Sequence, residues 1–319
     1  MSNPKVSVIM AVYNVEAFID EAATSVLAQD HSNLELVISD DGSTDGTLAL
    51  AEEIQRRDPR RVKVLHEDAN RGKAAAANRA LSAAEGELLA WLDGDDQMLP
   101  GKLSAQVAVL ERRPEAVGCC HDAEVFDSES GRVLGSFSSL YNGRPLREGG
   151  VELWFDPTYR SLPSATMFRA SACPPHGLDT RLRRANDWLF DIEVFRQGIC
   201  AVIPEILVRY RRHADQMTTD RLRTEWFEEG LTVMDIVESR YPELRARART
   251  SRAALLLGES RRLARAGRRR DALGRVADAV RAGGALGLAR VAGHMLRAAR
   301  QRRGAATPDI PAHRPAALG

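Results

Sequence analysis

The stretch ELVISDDGSTDGT (35–47) reads as a buried strand, Leu34–Ser39, that ends in an acidic turn and opens a helix over Thr44–Arg57. Ser43 or Asp45 can cap that helix, because a short polar side chain accepts from the free N–H groups of a first turn. The same rhythm lies on either side. Val6–Tyr13 is an almost continuous apolar run, the pattern of a strand covered on both faces of a parallel sheet. Phe18–Ala28 reads as a helix, Val62–Leu65 as a third strand, Lys73–Ala84 as an alanine-rich helix and Leu88–Leu92 as a fourth strand. Strands alternating with helices predict an α/β fold, a mainly parallel sheet with helices packed on it.

Past Pro100 the rhythm loosens. A helix over Lys102–Glu111, a strand over Val117–Phe126, a turn at 127–131 and a strand over Val133–Phe137 are expected. Residues 138–175, rich in Gly, Pro and Ser, read as loops over a pocket. Trp188–Arg196 is a helix and Ile206–Tyr210 a short strand. From Trp226 onward everything reads as helix. Leu273, Val276, Ala277 and Val280 recur at i, i+3, i+4, i+7, and so do Leu288, Val291, Ala292 and Met295. The residues from 304 are Ala- and Pro-rich and read as a disordered tail.

At 319 residues the chain has about two domains' worth of length, and 44% hydrophobic with 28% charged residues excludes collagen-like and disordered classes. Four cysteines (Cys119, Cys120, Cys173, Cys200) without CxxC spacing exclude a disulfide framework. No apolar run approaches the roughly 18–20 residues of a membrane-spanning helix, and the first residues lack a signal-peptide layout. A cytoplasmic protein is expected, with the inner membrane face as a candidate site of action.

The net charge of +1 hides an asymmetry: residues 1–239 sum to −13 and residues 240–303 to +14, with 18 arginines in the latter. An acidic first module is a poor reader of nucleic acid, so no such partner is expected. The basic module suits an anionic membrane surface or pairing with the acidic domain. The lack of Trp, Phe or Tyr after Tyr241 weakens the membrane version.

Polar clusters fall at strand ends or in the loops beyond, where open α/β sheets bind ligands: Tyr13-Asn14, Asp40 to Gly46, Asp93-Gly94-Asp95-Asp96, and Asn186-Asp187-Trp188. Three carboxylates within four residues repel one another. Hard divalent ions, Mg²⁺ or Mn²⁺, relieve such repulsion with one or two carboxylates and substrate phosphates. A solvated acidic turn is the plainer alternative.

The segments VSVIMAVYN (6–14), ELVISDDGSTDGT (35–47), NRGKAAAANRAL (70–81), GELLAWLDGDDQMLP (86–100) and LRRANDW (182–188) follow one another in an order that resembles the inverting glycosyltransferase family 2, with its GT-A fold. The likeness covers about residues 5–215. It implies transfer of a sugar from a nucleotide-sugar donor, with uridine favoured, to a saccharide or lipid-linked acceptor in cell-surface polysaccharide or glycolipid synthesis. On that resemblance Ala11 and Tyr13 line the nucleobase, and Asp41, with Asp40 beside it, accepts from the base. Arg71 or Lys73 supplies a cation near the nucleotide. Asp93 and Asp95 match the DXD pair, with Asp95 the better metal ligand and Asp93 on the ribose or the metal. Asp96 orients Asp95 or caps a helix. Asp187 matches the general base, Arg211 a phosphate contact and His213 a metal or diphosphate contact. Trp188 is a candidate acceptor platform. Asn186 departs from the family's usual Glu.

The expected organisation is a GT-A domain over 1–215, with a nucleotide-sugar half to residue 110 and an acceptor half beyond it. A basic helical module over 216–303 and the tail over 304–319 follow. A degenerate nucleotide-sugar-binding or scaffold protein is the alternative from another class. Oligomeric state is not legible.

Overall fold

The computed structural model describes residues 3–156, 159–213, 216 and 223–302, the side chains of 223, 285–288 and 290–302 aside. The expected stripe at Leu288, Val291, Ala292 and Met295 and the tail from 304 lie outside those described residues. The first half alternates β1 (Val6–Val12), α1 (Ile19–Leu27), β2 (Leu34–Asp40), α2 (Thr47–Arg57), β3 (Val62–His66), α3 (Lys73–Ala83) and β4 (Leu88–Trp91). The second half adds β5 (Gln97–Met98), α4 (Lys102–Arg112), β6 (Ala116–Asp127), β7 (Val133–Ser136), β8 (Thr166–Arg169), α5 (Asn186–Phe195) and β9 (Ile199–Arg212). Helices α6 (Arg223–Arg240), α7 (Arg245–Arg265) and α8 (Arg269–Arg302) complete it.

All nine strands form one mixed sheet in the order β3-β2-β1-β4-β8-β6-β9-β5, with β7 on β6. β1, β2, β3 and β4 pair in parallel, as their apolar runs predict, and β6 pairs in parallel with β9. β8 runs antiparallel between β4 and β6. Successive β1 residues face opposite sides: Val8 and Met10 join a core with α1, α2 and α4, and Ile9 joins one with α3, α5 and α6.

Three expectations need correction. The 138–175 stretch holds β8 and several short helical turns, because Thr166, Met167 and Phe168 are buried between two strands. The strand expected at 206–210 begins at Ile199 and passes Pro204-Glu205. Proline lacks an N–H, and the ladder to β6 shifts register there, His121 facing Ile203 but Asp122 facing Ile206. α5 also starts two residues earlier than expected, at Asn186.

α6 buries Val233, Met234 and Val237 in the core beneath α5, while α7 and α8 share a smaller cluster of Ala253, Ala254, Leu256 and Ala279. α8 is broken at Gly284, whose φ of 60° with ψ of −177° is non-helical. Among the described residues no helix is long and apolar enough to cross a membrane.

Phe190 fastens α5 to the sheet, with its ring centroid 5.5 Å from Trp91 and 5.2 Å from Phe168. Phe190→Ala should cost about 3–5 kcal/mol of stability, read as a fall in the denaturant midpoint. A loss below about 1 kcal/mol would show that this aromatic cluster is not what holds α5.

Candidate active site

β1 lies between β2 and β4, so the ends of three parallel strands open onto one edge of the sheet. Asn14 crosses that edge at φ 52°, a left-handed conformation that asparagine tolerates. Its N–H donates to Ser43 Oγ (3.0 Å), and its Oδ1 accepts from the Thr44 N–H (2.8 Å). The acidic turn is thereby pinned to β1. Beside it Ala11 is half-buried and Tyr13 is 44% exposed.

Asp40 is fully buried. Its Oδ2 accepts from the N–H groups of Gly42 (3.1 Å) and Ser43 (3.0 Å) and meets His66 Nδ1 at 3.1 Å, while Oδ1 has no partner in the protein. Asp41 faces the other way. Its Oδ1 accepts from the Arg71 N–H (3.1 Å) and its Oδ2 from the Gly72 N–H (2.7 Å). Gly42 is required between them and the next loop: at φ +72° a Cβ would lie 2.7 Å from the Ala69 carbonyl carbon.

The structure separates the two cations that the sequence left as alternatives. Arg71 points outward and meets Glu67 at 3.4 Å. Lys73 opens α3 and donates to Asp93 Oδ1 at 2.7 Å. Burial alone would lower the Lys73 ammonium, but Asp93, Asp187 and Asp95 outweigh it and hold the group above the ordinary lysine range. The Asp93 N–H donates to Ser164 Oγ at 3.1 Å. Ser164 sits in a stretch read as loop, with no spacing signal to flag it.

Asp96 is fully buried. Its Oδ1 accepts from the Arg211 N–H (3.0 Å), its Oδ2 has no partner, and burial with the neighbouring Asp95 and Asp93 pushes the carboxyl well above its ordinary range. Arg211 is taken up by the protein. Its Nε donates to the Asp95 carbonyl (2.8 Å), a terminal nitrogen meets Glu21 Oε2 (2.5 Å), and the guanidinium stacks over Phe18 and Phe126. His213 meets Asp95 Oδ2 at 3.0 Å and rests its ring against Phe18.

From the opposite wall α5 presents Asp187 in its first turn, with Oδ1 accepting from the Trp188 N–H at 2.7 Å. Burial raises the Asp187 carboxyl. Lys73 opposes that shift and Asp93 adds to it, so the three groups share one electrostatic neighbourhood. Trp188 turns toward the C-terminal helices: Nε1 donates to the Trp154 carbonyl (2.8 Å), and a Cβ on Gly230 would lie 3.2 Å from the indole. Asn186 is buried and donates to the Leu182 carbonyl at 3.2 Å.

The edge is thus an acidic cleft with one lysine ammonium at its centre. Asp95 and His213 offer a carboxylate oxygen and an imidazole nitrogen side by side, a donor pair suited to Mg²⁺ or Mn²⁺ when phosphates and water supply the other positions. Among the described residues no group of three or more His, Cys, Asp or Glu forms a protein-only cage.

Comparison with known proteins agrees with this architecture. Residues 7–173 match the model of Glycosyl transferase family 2. The chain is 44% identical over 223 residues to the putative glycosyltransferase EpsE of Bacillus subtilis, covering 67% of this chain and 75% of that one. It is 31% identical to an uncharacterized glycosyltransferase of Haemophilus influenzae, covering 68% of each. Among solved structures, S. aureus TarS 1–349 in complex with UDP-GlcNAc superposes with a TM-score of 0.66 at 20% identity, over 94% of this chain and 89% of that one. The mannosyltransferase PcManGT from Pyrobaculum calidifontis, in complex with GDP-Man and Mn²⁺, gives 0.59 at 19% identity, over 95% and 84%. A parallel strand edge lined with acids, a family model spanning more than half the chain and close relatives over two thirds of it lead to one assignment: the chain belongs to glycosyltransferase family 2 and has the GT-A fold.

Proposed function

We propose that this chain moves a sugar from a UDP-linked donor to an acceptor hydroxyl with inversion, in the synthesis of a cell-surface polysaccharide or glycolipid. The observation that carries the reading is the Lys73 ammonium on Asp93 Oδ1 at 2.7 Å, within the electrostatic reach of Asp187, whose carboxyl is raised by burial. TarS, crystallised with UDP-GlcNAc, shares the fold and supports a uridine donor.

In this reading Ala11, Tyr13 and Asp41, with Asp40 shaping the turn beneath, hold the nucleobase. Asp93 meets the ribose, and Lys73 faces the diphosphate with Arg71 at the rim. Arg211 acts through Asp95 and Asp96, which it positions. Trp188 anchors the floor beneath the acceptor. Asp187 takes the acceptor's hydroxyl proton as that oxygen attacks the anomeric carbon, and the bond from that carbon to the diphosphate oxygen breaks on the opposite face. Asp95 and His213, with Asp93 beside them, would hold Mg²⁺ or Mn²⁺, which when bound neutralises charge on the departing diphosphate. PcManGT, solved in complex with GDP-Man and Mn²⁺, supports this metal chemistry.

The basic module suits a peripheral seat on the cytoplasmic membrane face. On α8, Leu273, Val276 and Val280 are 69%, 37% and 45% exposed in an i, i+3, i+7 row, with exposed Arg269, Arg270 and Arg281 nearby.

Asp187→Asn should reduce sugar transfer by about 10²–10⁴-fold while leaving UDP affinity unchanged, since a base acts in the transition state. Because the folded-state carboxyl is raised, wild-type kcat should fall on the acid side at a pH above the ordinary aspartate value. A limb at the ordinary carboxylate value would move the base elsewhere. For the metal, Asp95→Asn should remove the Mn²⁺-dependent part of UDP binding seen by calorimetry. Equal Mn²⁺ enhancement in variant and wild type would refute that ligand. On vesicles at physiological salt, the full chain should co-sediment with anionic but not neutral lipid. Equal recovery from both would exclude the electrostatic seat.

A further inference from the structure

The turn that delivers Asp187 has no cap of its own. Ala185 precedes α5 and lacks a side-chain oxygen, so the N–H groups of the turn leading into the helix need an acceptor from elsewhere. α6 supplies it. Glu229 accepts from the N–H groups of Arg183 (3.1 Å), Arg184 (2.7 Å) and Ala185 (2.9 Å). The neighbouring Glu225 meets Arg184 Nε at 2.6 Å. At its other end α5 is held from the end of α6, where Arg240 pairs with buried Glu193 and the hydroxyl of Tyr241, the residue just beyond α6, donates to the same carboxylate at 2.7 Å.

These contacts differ in kind. An ion pair between part-exposed side chains is worth little, whereas a carboxylate that gathers three successive amides fixes backbone dihedrals. It also lies at the N-terminal end of α5, where the helix dipole favours negative charge. The turn's remaining freedom is taken by Asn186, which donates to the Leu182 carbonyl. A capping box places such a carboxylate three residues into the same helix. Here it comes from a separate helix more than forty residues later in the chain.

We propose that Glu229 is a positioning residue for the transfer reaction, through which α6 sets the backbone turn that carries Asp187. The proposal rests on the reading of Asp187 as the base. It makes the first helix of the C-terminal module part of the catalytic apparatus rather than an appendage.

The test uses the full chain with Glu229→Gln and, as a comparison at the same turn, Glu225→Gln, which breaks the Arg184 pair but leaves the three amides capped. Hydrogen exchange should show faster exchange across 183–190 in Glu229→Gln, with the strands at 6–12 and 88–91 unchanged. UDP release would be followed with UDP-glucose, UDP-galactose and UDP-N-acetylglucosamine. On the donor that turns over, kcat should fall about 10–100-fold with donor KM and calorimetric UDP affinity within about twofold. Glu225→Gln should match wild type in both measurements. Unchanged protection across 183–190 in Glu229→Gln would overturn the proposal, and so would lost protection with undiminished kcat. A parallel fall of kcat, UDP affinity and melting temperature would reduce Glu229 to a general stabilising contact and overturn it equally. Wild-type protein that releases no UDP from any donor would instead overturn the functional reading, a failure visible before any variant is made.

Discussion

Three carboxylates within four residues cannot remain charged at one strand end unless cations are brought to them. Much of this fold is arranged to do that. Lys73 arrives from the start of α3 to meet Asp93. From the end of β9, more than a hundred residues further along, His213 brings an imidazole nitrogen to Asp95 Oδ2 and Arg211 brings its backbone N–H to the Asp96 carboxylate and its guanidinium to the Asp95 carbonyl. The parallel pairing of β9 with β6 is what directs that strand end to the same edge as β4. Asp96 is the member left without a free cation. It is buried, bonded to one backbone amide, and pushed toward its neutral form by its two neighbours.

The division of charge along the chain takes a different form in space. α6 carries Glu225, Glu228, Glu229, Asp235 and Glu238, and three arginines of α7 and α8 pair with it: Arg249 with Glu238 at 2.7 Å, Arg252 with Asp235, and Arg275 with Glu228 at 3.4 Å. Where α6 meets the sheet domain the signs run both ways, Glu225 taking Arg184 while Arg240 takes Glu193. Such pairs contribute about 0–1 kcal/mol each when exposed. The burial of Val233, Met234 and Val237 against α5 therefore does most of the docking.

What was legible in the sequence follows from how local each signal is. β1, β2 and β4 announce themselves because strands covered on both faces must be apolar throughout. The acidic clusters could be placed at their ends without knowing the rest. β8 could not be read: four residues flanked by Gly, Pro and Ser become a strand only because β4 and β6 lie on either side. The choice between Arg71 and Lys73 was likewise beyond local reading, since two residues in one loop differ only in which way the helix start turns them. The direction of Trp188 depends on Gly230 in α6, and the capping role of Glu229 depends on a packing angle between helices. Neither has a periodicity to betray it.

Asp41 uses both of its oxygens on the amides of Arg71 and Gly72, one residue before Lys73 begins α3. A carboxylate has lone pairs to spare, so any donor group that also hydrogen-bonds Asp41 shares it with the backbone that aims the lysine. The two ends of a long ligand would then be sensed through one rigid lever only a few residues in length. Fit at the distal end would change where positive charge sits at the reacting end. Discrimination between donors would then appear as a change in rate as well as in affinity.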